Sequence, residues 1–461
     1  MQDTKFAPFA EKMRREGLPE IFIRTFAWYY EQLLTGDTGL IPEDSIQPVT
    51  SLPDAARFPE ELVDVGQSVL GKTAVIKLNG GLGTSMGLQK AKSLLDVKNG
   101  QSFLDIIARQ TVQASVPLVL MDSFSTHEDS LAALSHHPEL NPSNLLAFLQ
   151  HKEPKINQAE LTPAKWPPNP ELEWCPPGHG DIYPALISSG TLAALLEQGY
   201  EYAFVSNSDN LGGVIDLSIL GYFAQNNVPF MMEVADRTEM DRKGGHLARR
   251  ADGQLLLRES AQTPDADMDS FQDIARHKYF NTNNLWFHLP TLQQVMAERD
   301  YLLGLPMIRN SKTVDPRDPA SPPVYQLETA MGSAIAVFAG AQAVRVPRSR
   351  FAPVKTSNEL LAVRSDAFTL TEDYHIVLAN GRTAPPIVLL DMRYYKFISD
   401  LEARFPFGPP SLVDCQRLEV KGDLRFGRGV VCQGEVRLIN ESDGQVVVPD
   451  SAVLHGEHRY G

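Results

Sequence analysis

Lys72-Thr-Ala-Val-Ile-Lys-Leu-Asn-Gly-Gly-Leu-Gly-Thr-Ser-Met86 is the stretch whose reading decides the fold. Ala74 to Leu78 is a short apolar run with two β-branched residues and reads as a buried strand. It stops at Asn79 and enters Gly80-Gly81-Leu82-Gly83, and a helical apolar pattern resumes around Phe103-Leu-Asp-Ile-Ile107. A strand that breaks into glycines ahead of a helix can turn backbone N–H groups toward an anion. Glycine suits such a turn because no side chain blocks close approach and φ > 0 is accessible. The glycines alone leave two readings open: a phosphate cradle, or a tight turn that binds nothing.

Outward from this stretch, Ser115 to Met121 reads as a second buried strand. Strand, helix, strand at this spacing is a βαβ unit, so an α/β fold with a parallel sheet is expected. Asn144 to Gln150 reads as a strand or a short helix, and strands are expected over 201–210, 228–234 and 342–346. A helix is expected from Ala185 to Gln198, closed by Gly199, and another from Tyr325 to Ile335. The strand at 201–210 ends in Asn207, Asp209 and Asn210. Ligands of open parallel sheets bind beyond the carboxyl ends of strands, where an aspartate is a natural Mg²⁺ ligand. A helix N-cap is the competing role for Asp209.

Five further polar clusters stand out. In Pro176-Pro-Gly-His-Gly-Asp-Ile-Tyr183 a proline entry and two flanking glycines hold His179 in a turn. Gln89-Lys-Ala-Lys-Ser93 carries two lysines, and Lys243 precedes Gly244-Gly245. Asn281, Asn283 and Asn284 interrupt apolar residues; asparagine donates and accepts, as sugar hydroxyls require, although an asparagine-rich turn accounts for them equally. Lys355 follows Arg348 and Arg350 in one of the denser basic patches. Each also has a bland account as a solvated or charged turn.

Composition bounds the rest. The chain has 461 residues, 43% of them hydrophobic, which suits two or three domains. The formal net charge of −15 argues against nucleic-acid affinity, and a phosphate site in such a chain must gather its lysines locally. No apolar run approaches the roughly 20 residues that span a bilayer, so no membrane partner is expected. Cys175, Cys415 and Cys432 suit neither a disulfide framework nor a paired metal site; with no signal-peptide pattern at the start, a cytoplasmic protein is expected. Residues 1–65 read as mainly helical, from Phe22, Ile23, Phe26, Tyr29, Tyr30 and Leu33 at helical spacing. The tail from about Pro409 alternates short β-type runs with glycines, as β-helix coils do; a small antiparallel sheet is the alternative.

Taken together, seven segments resemble the UTP–glucose-1-phosphate uridylyltransferases of the type also found in eukaryotes. They are Leu78-Asn-Gly-Gly-Leu-Gly-Thr-Ser-Met-Gly87, Pro176-Pro-Gly-His-Gly-Asp181, Asn207-Ser-Asp-Asn-Leu-Gly212, Lys243-Gly-Gly245, Phe280-Asn-Thr-Asn-Asn-Leu-Trp286, Gln326-Leu-Glu-Thr-Ala330 and Pro353-Val-Lys-Thr-Ser357. The resemblance implies a Rossmann-like nucleotidyltransferase fold with a mixed, mainly parallel sheet and a C-terminal left-handed β-helix. The divisions it implies are a helical segment at 1–65, a catalytic domain at 66–405 and a β-helix domain at 406–461. It implies reversible, Mg²⁺-dependent formation of UDP-glucose and pyrophosphate from UTP and glucose 1-phosphate.

Residue roles follow from motif position. Leu78, Asn79, Gly80 and Gly81, with Gln150 and Gly178, would hold the uridine. Lys92 would hold the β- and γ-phosphates, His179 and Lys355 would face the sugar phosphate and α-phosphate, and Asp209 would bind Mg²⁺. Asn207, Glu259 and Asn283 would contact ribose or glucose hydroxyls, and Lys243 matches a lysine associated with activity. Where the family often reads Lys-Gly-Pro-Lys-Ser, this chain has Gln89-Lys-Ala-Lys-Ser93. Self-association through the tail is a further expectation. Two rivals remain at this stage: a UDP-N-acetylglucosamine or broad-specificity UDP-sugar pyrophosphorylase, and a nucleotide-sugar-binding protein without catalysis. No Gly-Lys-Ser/Thr closes the glycine turn, and its spacing is not G-x-G-x-x-G, which sets aside a P-loop kinase and a dinucleotide dehydrogenase.

Overall fold

The computed structural model describes residues 5–140, 145–379 and 381–461. Its centre is a mixed, largely parallel sheet. Seven of its ten strands form one continuous run: β1 (Thr73–Asn79), β2 (Leu118–Asp122), β3 (Leu145–Leu149), β4 (Tyr202–Asn207), β5 (Phe230–Asp236), β6 (Tyr279–His288) and β7 (Gln342–Arg345). Across the sheet they run β3-β2-β1-β4-β6-β5-β7. β3, β2, β1 and β4 are mutually parallel, β6 runs against β4 and β5, and β7 is parallel to β5. Four carboxyl ends therefore open on one edge, after Asn79, Asp122, Leu149 and Asn207.

β1 is buried along nearly its whole length, as a central parallel strand must be. The glycines after it do not lead straight into a helix. Two 3-10 turns, Thr84–Met86 and Lys92–Leu94, and a short ribbon intervene. The helix Phe103–Gln113 then starts from a reciprocal cap between Ser102 and Asp105 and buries Phe103, Leu104, Ile106 and Ile107.

Residue 144 lies outside the described residues, and the remainder of 144–150 forms β3 rather than a helix. The expected helix at 185–198 is two helices, Ile182–Ser188 and Thr191–Glu197, broken at Gly190 with φ +77°. The expected helix over Tyr325–Ile335 is a correction. Pro323–Thr329 is a strand paired antiparallel with Met307–Thr313, followed by a 3-10 turn at Met331–Ala336. The pairing buries Val324 and Leu327, a long-range gain that overrides local helical preference.

The N-terminal segment is helical as expected, with helices Ala7–Arg15 and Glu20–Leu34 sharing a core of Phe9, Met13, Phe22, Phe26 and Tyr30. The tail is a stack of parallel strands, which excludes the antiparallel alternative: Ile387–Leu390, Cys415–Lys421, Val431–Asn440 and Val453–Tyr460 lie side by side. The stack reaches back to Ile387, ahead of residue 406. Its buried Leu418, Val420, Leu438 and Val448 belong to one apolar core with Phe103, Ile106 and Ile107 of the helix Phe103–Gln113. Among the described residues no helix is long and apolar enough to cross a membrane.

Candidate active site

The site forms where loops after β1, β3 and β4 meet segments from 176–181 and 348–357. After β1, the Gly80 carbonyl accepts a hydrogen bond from Ser123 Oγ (3.0 Å), at the carboxyl end of β2. The Gln150 side chain lies flat on Gly80: a Cβ there would come within 3.1–3.2 Å of all three amide atoms. A side chain at residue 80 would crowd that amide, so the amide of Gln150 stands close beside the turn.

Asn79 supports the turn from below. Its side chain is buried and donates to Asp122 Oδ1 (2.7 Å) and Ser130 Oγ (2.8 Å), so it ties β1 to β2 and the following helix. The Leu78 carbonyl accepts from Ser208 N (3.0 Å) and its side chain packs in the core. These contacts set the path of the glycine turn that follows.

Gly178 has φ +78°, and a Cβ on it would lie 2.5 Å from the Thr329 carbonyl oxygen. Gly180 abuts the Thr329 side chain just as closely. The two glycines let the loop seat against the strand 323–329, with Thr329 N donating to the Pro177 carbonyl (3.0 Å). His179 Nδ1 accepts from Met331 N (2.9 Å), and burial pushes the imidazole pKa down to about 4. A neutral ring whose Nδ1 accepts carries its proton on Nε2, so His179 offers a donor rather than a cation near pH 7.

Beyond β4, Lys92 Nζ and Asp209 Oδ2 form an ion pair at 2.6 Å, and both side chains are largely shielded. Asp209 Oδ1 is buried with no hydrogen-bond partner among the described residues. A buried carboxylate oxygen left open in this way fits a hard cation completed by phosphate oxygens and water. Among the described residues no group of three or more His, Cys, Asp or Glu could hold a metal on its own. Asp209 does not cap a regular helix. Its carbonyl accepts from Val354 N (3.2 Å), which brings the metal-ligand candidate next to Lys355.

Beneath this edge is a buried ion pair. Arg350 donates from Nε and Nη2 to the two oxygens of Glu233, each at 2.7 Å, and Asn284 and Trp286 donate to the same carboxylate. Asn284 is therefore structural. Lys77, wholly buried on β1, donates to Ser206 Oγ and the Gly213 carbonyl, each at 2.7 Å, and burial lowers its pKa to about 7.

Asn283 takes φ +59° within β6, and Asn281 Nδ2 donates to its Oδ1 (2.8 Å). The asparagines lie in a strand, not a turn. Lys355 is exposed and faces Glu259, whose carboxyl is pushed up by burial and held back by that lysine. Gly245 sits against Glu259, where a Cβ would be 2.5 Å from Oε2. Exposed Lys243 is carried on the turn that leads into Gly245; Arg237 anchors this turn by donating to the carbonyls of Asp241, Arg242 and Gly244. Asn207 ends β4, half-buried, on the same edge.

Sequence reasoning passed over Thr329, His151 and Asp181 as working residues. Thr329 stood inside a quoted motif, but only the fold shows it filling the space that the two glycines leave. His151 follows Gln150 and Asp181 follows Gly180, and their pairing across the site has no local sequence signature.

A glycine turn backed by Ser123 and Gln150 on a parallel sheet edge, with cations and one open carboxylate oxygen beyond it, has the groups that a nucleotidyltransferase requires. The chain belongs to the UTP–glucose-1-phosphate uridylyltransferase family, whose model matches residues 22–433. It is 39% identical to UTP–glucose-1-phosphate uridylyltransferase of Solanum tuberosum, over 91% of this chain and 85% of the relative. It is 38% identical to the probable enzyme of the same description from Schizosaccharomyces pombe, over 86% of this chain and 80% of that one. A mutant UDP-glucose pyrophosphorylase from Leishmania major, solved in complex with UDP-glucose, superposes with a TM-score of 0.92 at 46% identity and full coverage of both chains. A structure from Trypanosoma brucei described as UDP-glucose phosphorylase gives 0.89 at 43% identity, covering 99% of this chain and 100% of that one.

Proposed function

We propose that the chain catalyses the reversible reaction of UTP with glucose 1-phosphate to give UDP-glucose and pyrophosphate. The observation that carries this reading is the Lys92–Asp209 pair with its open Oδ1, set against the Gly80–Gln150 cradle and joined through Val354 to Lys355. The sugar phosphate oxygen is an anion near pH 7, so its in-line attack on the α-phosphorus of UTP needs no general base. It needs positioning and neutralisation of two anions brought together. Gly80, Gly81, Gln150 and Gly178 hold the uridine by backbone and amide contacts. Lys92 takes the leaving pyrophosphate, Lys355 the α- and sugar phosphates, and His179 donates from Nε2 without adding charge. Asn207, Asn283 and Glu259 face the ribose and hexose hydroxyls, and Lys243 approaches from the turn beside Glu259. Asp209 would hold Mg²⁺, which neutralises phosphate charge when bound.

The three-part division at 1–65, 66–405 and 406–461 belongs to the same reading, with the coil stack reaching back to Ile387 and wound as a left-handed β-helix. The exposed edge of that stack, Val453–Tyr460, is the surface for self-association. The acidic charge and three unpaired cysteines support a cytoplasmic protein without nucleic-acid or membrane partners. The test is pyrophosphate release with Mg²⁺, crossing UTP and TTP with a panel of sugar 1-phosphates. Strong turnover of UTP with glucose 1-phosphate is expected; turnover only with an N-acetylated sugar would overturn the reading.

A further inference from the structure

Two loops that form opposite walls of the base slot are joined through a single buried carboxylate. Asp181 is wholly enclosed, and both its oxygens are used: Oδ2 accepts from His151 N at 2.6 Å and Oδ1 contacts His151 Nδ1 at 2.8 Å. Asp181 stands two residues past His179, in a turn closed by its own N–H donating to the Gly178 carbonyl (3.2 Å). His151 stands one residue past Gln150. The peptides on both sides of Gln150 are thereby fixed, one by Gln150 N donating to the Asp122 carbonyl (2.8 Å), the other by His151 N donating to Asp181.

The histidine is held from its other faces as well. Its Nε2 meets Ser188 Oγ at 3.0 Å, and its ring stacks on Phe22 of the N-terminal helix 20–34, with centroids 4.3 Å apart and planes 16° from parallel. A carboxylate bridging two loops sets their separation, because both contacts lengthen if either loop moves. Buried acceptors facing two donors are also costly to replace, since an amide in that place would turn an N–H toward another N–H.

We propose that Asp181, acting through His151, is a positioning residue that fixes the width of the base slot and the orientation of the Gln150 amide, and so sets selectivity for uracil over cytosine. Uracil presents an N–H between two carbonyl oxygens, whereas cytosine presents an acceptor nitrogen beside an amino group. An amide held in one orientation discriminates between these edges, and an amide free to turn over does not. The inference rests on the reading of Gln150 and Gly178 as the uridine walls.

The experiment compares kcat/KM for UTP and CTP, with glucose 1-phosphate and Mg²⁺, in wild-type protein and three variants, and records the unfolding temperature of each. Asp181→Asn is expected to raise KM for UTP about tenfold, to change kcat less than about threefold, and to lower the UTP/CTP ratio about tenfold. His151→Phe keeps the backbone contact and the stack on Phe22; it is expected to lower that ratio by a smaller factor, about threefold. This variant carries the test should Asp181→Asn fail to fold. Gln150→Ala separates the inference from its foundation. A wild-type ratio in Gln150→Ala would overturn the assignment of the uridine wall. A collapsed ratio in Gln150→Ala, with the wild-type ratio kept in folded Asp181→Asn and His151→Phe, would overturn the role of Asp181 alone. A fall in unfolding temperature with an unchanged ratio would mark a merely structural bond and overturn the proposal as well.

Discussion

The central sheet and the C-terminal stack are both made of parallel strands, yet they end in opposite ways. In the sheet, β1, β2, β3 and β4 stop on one edge and their chains diverge into loops that hold Gly80, Ser123, Gln150 and Asp209. In the tail, short connections lay Val431–Asn440 on Cys415–Lys421 and Val453–Tyr460 on Val431–Asn440, as Leu418 lies beside Val436 and Leu438 beside His458. Gly422 takes φ +81° where a Cβ would meet the Asn440 carbonyl at 2.4 Å, so these connections pack directly on one another. Parallel pairing supplies a rigid platform in both regions. Only the sheet, whose connections are long, has chain to spare for chemistry.

The contrast can be broken most severely at the sheet edge. Lys355→Ala removes an exposed cation that packs at 5.8 Å from the Phe351 ring, outside the core. Turnover is expected to fall about 10²–10³-fold, as for loss of one preorganised group at a transition-state charge, with an unchanged unfolding midpoint. Near-normal single-turnover rates would remove this lysine from the reaction.

Gly178→Ala comes next. It forces an alanine into the left-handed region against the Thr329 carbonyl, so the loop must shift. A loss of roughly 10- to 100-fold in kcat/KM for UTP is expected, since small misplacements of a binding wall are costly. Steady-state kinetics with an alanine variant indistinguishable from wild type would show that this wall tolerates displacement.

Leu438→Ala in the tail should do the reverse. This side chain is fully buried in the coil interior, so denaturant unfolding is expected to show a loss of about 2–5 kcal/mol, while the folded fraction keeps its kcat/KM. A matching loss of turnover per folded molecule would mean that the tail takes part in catalysis and would dissolve the contrast.

The smallest effect is on pH dependence. His179 has its folded pKa lowered to about 4 from the usual 6.5, so the unfolded chain binds more protons between those values. Its contribution to stability is present above about pH 6.5 and is lost as pH falls toward 4. A His179→Asn variant should show a flatter decline of stability across that window, and the imidazole resonances of His179 should not titrate between pH 5.5 and 8.

The platform was readable in the sequence and the cross-links were not. Ala74–Leu78 running into glycines, and the apolar runs ending at Met121 and Asn207, announced the parallel strands because a doubly covered strand needs continuous hydrophobicity. The short β-type runs of the tail likewise announced its strands, which the structure stacks in parallel. Tyr325–Ile335 misled because its helical spacing is local, whereas its actual partner, Met307–Thr313, is fixed by pairing over distance. Asn79 has a tertiary role that no local pattern announces: Asp122 and Ser130 claim its amide. The two glycines around His179 were visible as glycines, and the Thr329 backbone that demands them was not.

The Lys92–Asp209 contact has a consequence for entropy. A free lysine side chain surrenders up to about 2 kcal/mol of rotamer freedom when it is pinned. Here the ammonium is already held at 2.6 Å from a carboxylate. That loss of freedom is incurred when the chain folds, and little of it is left to oppose the binding of an anion at this lysine.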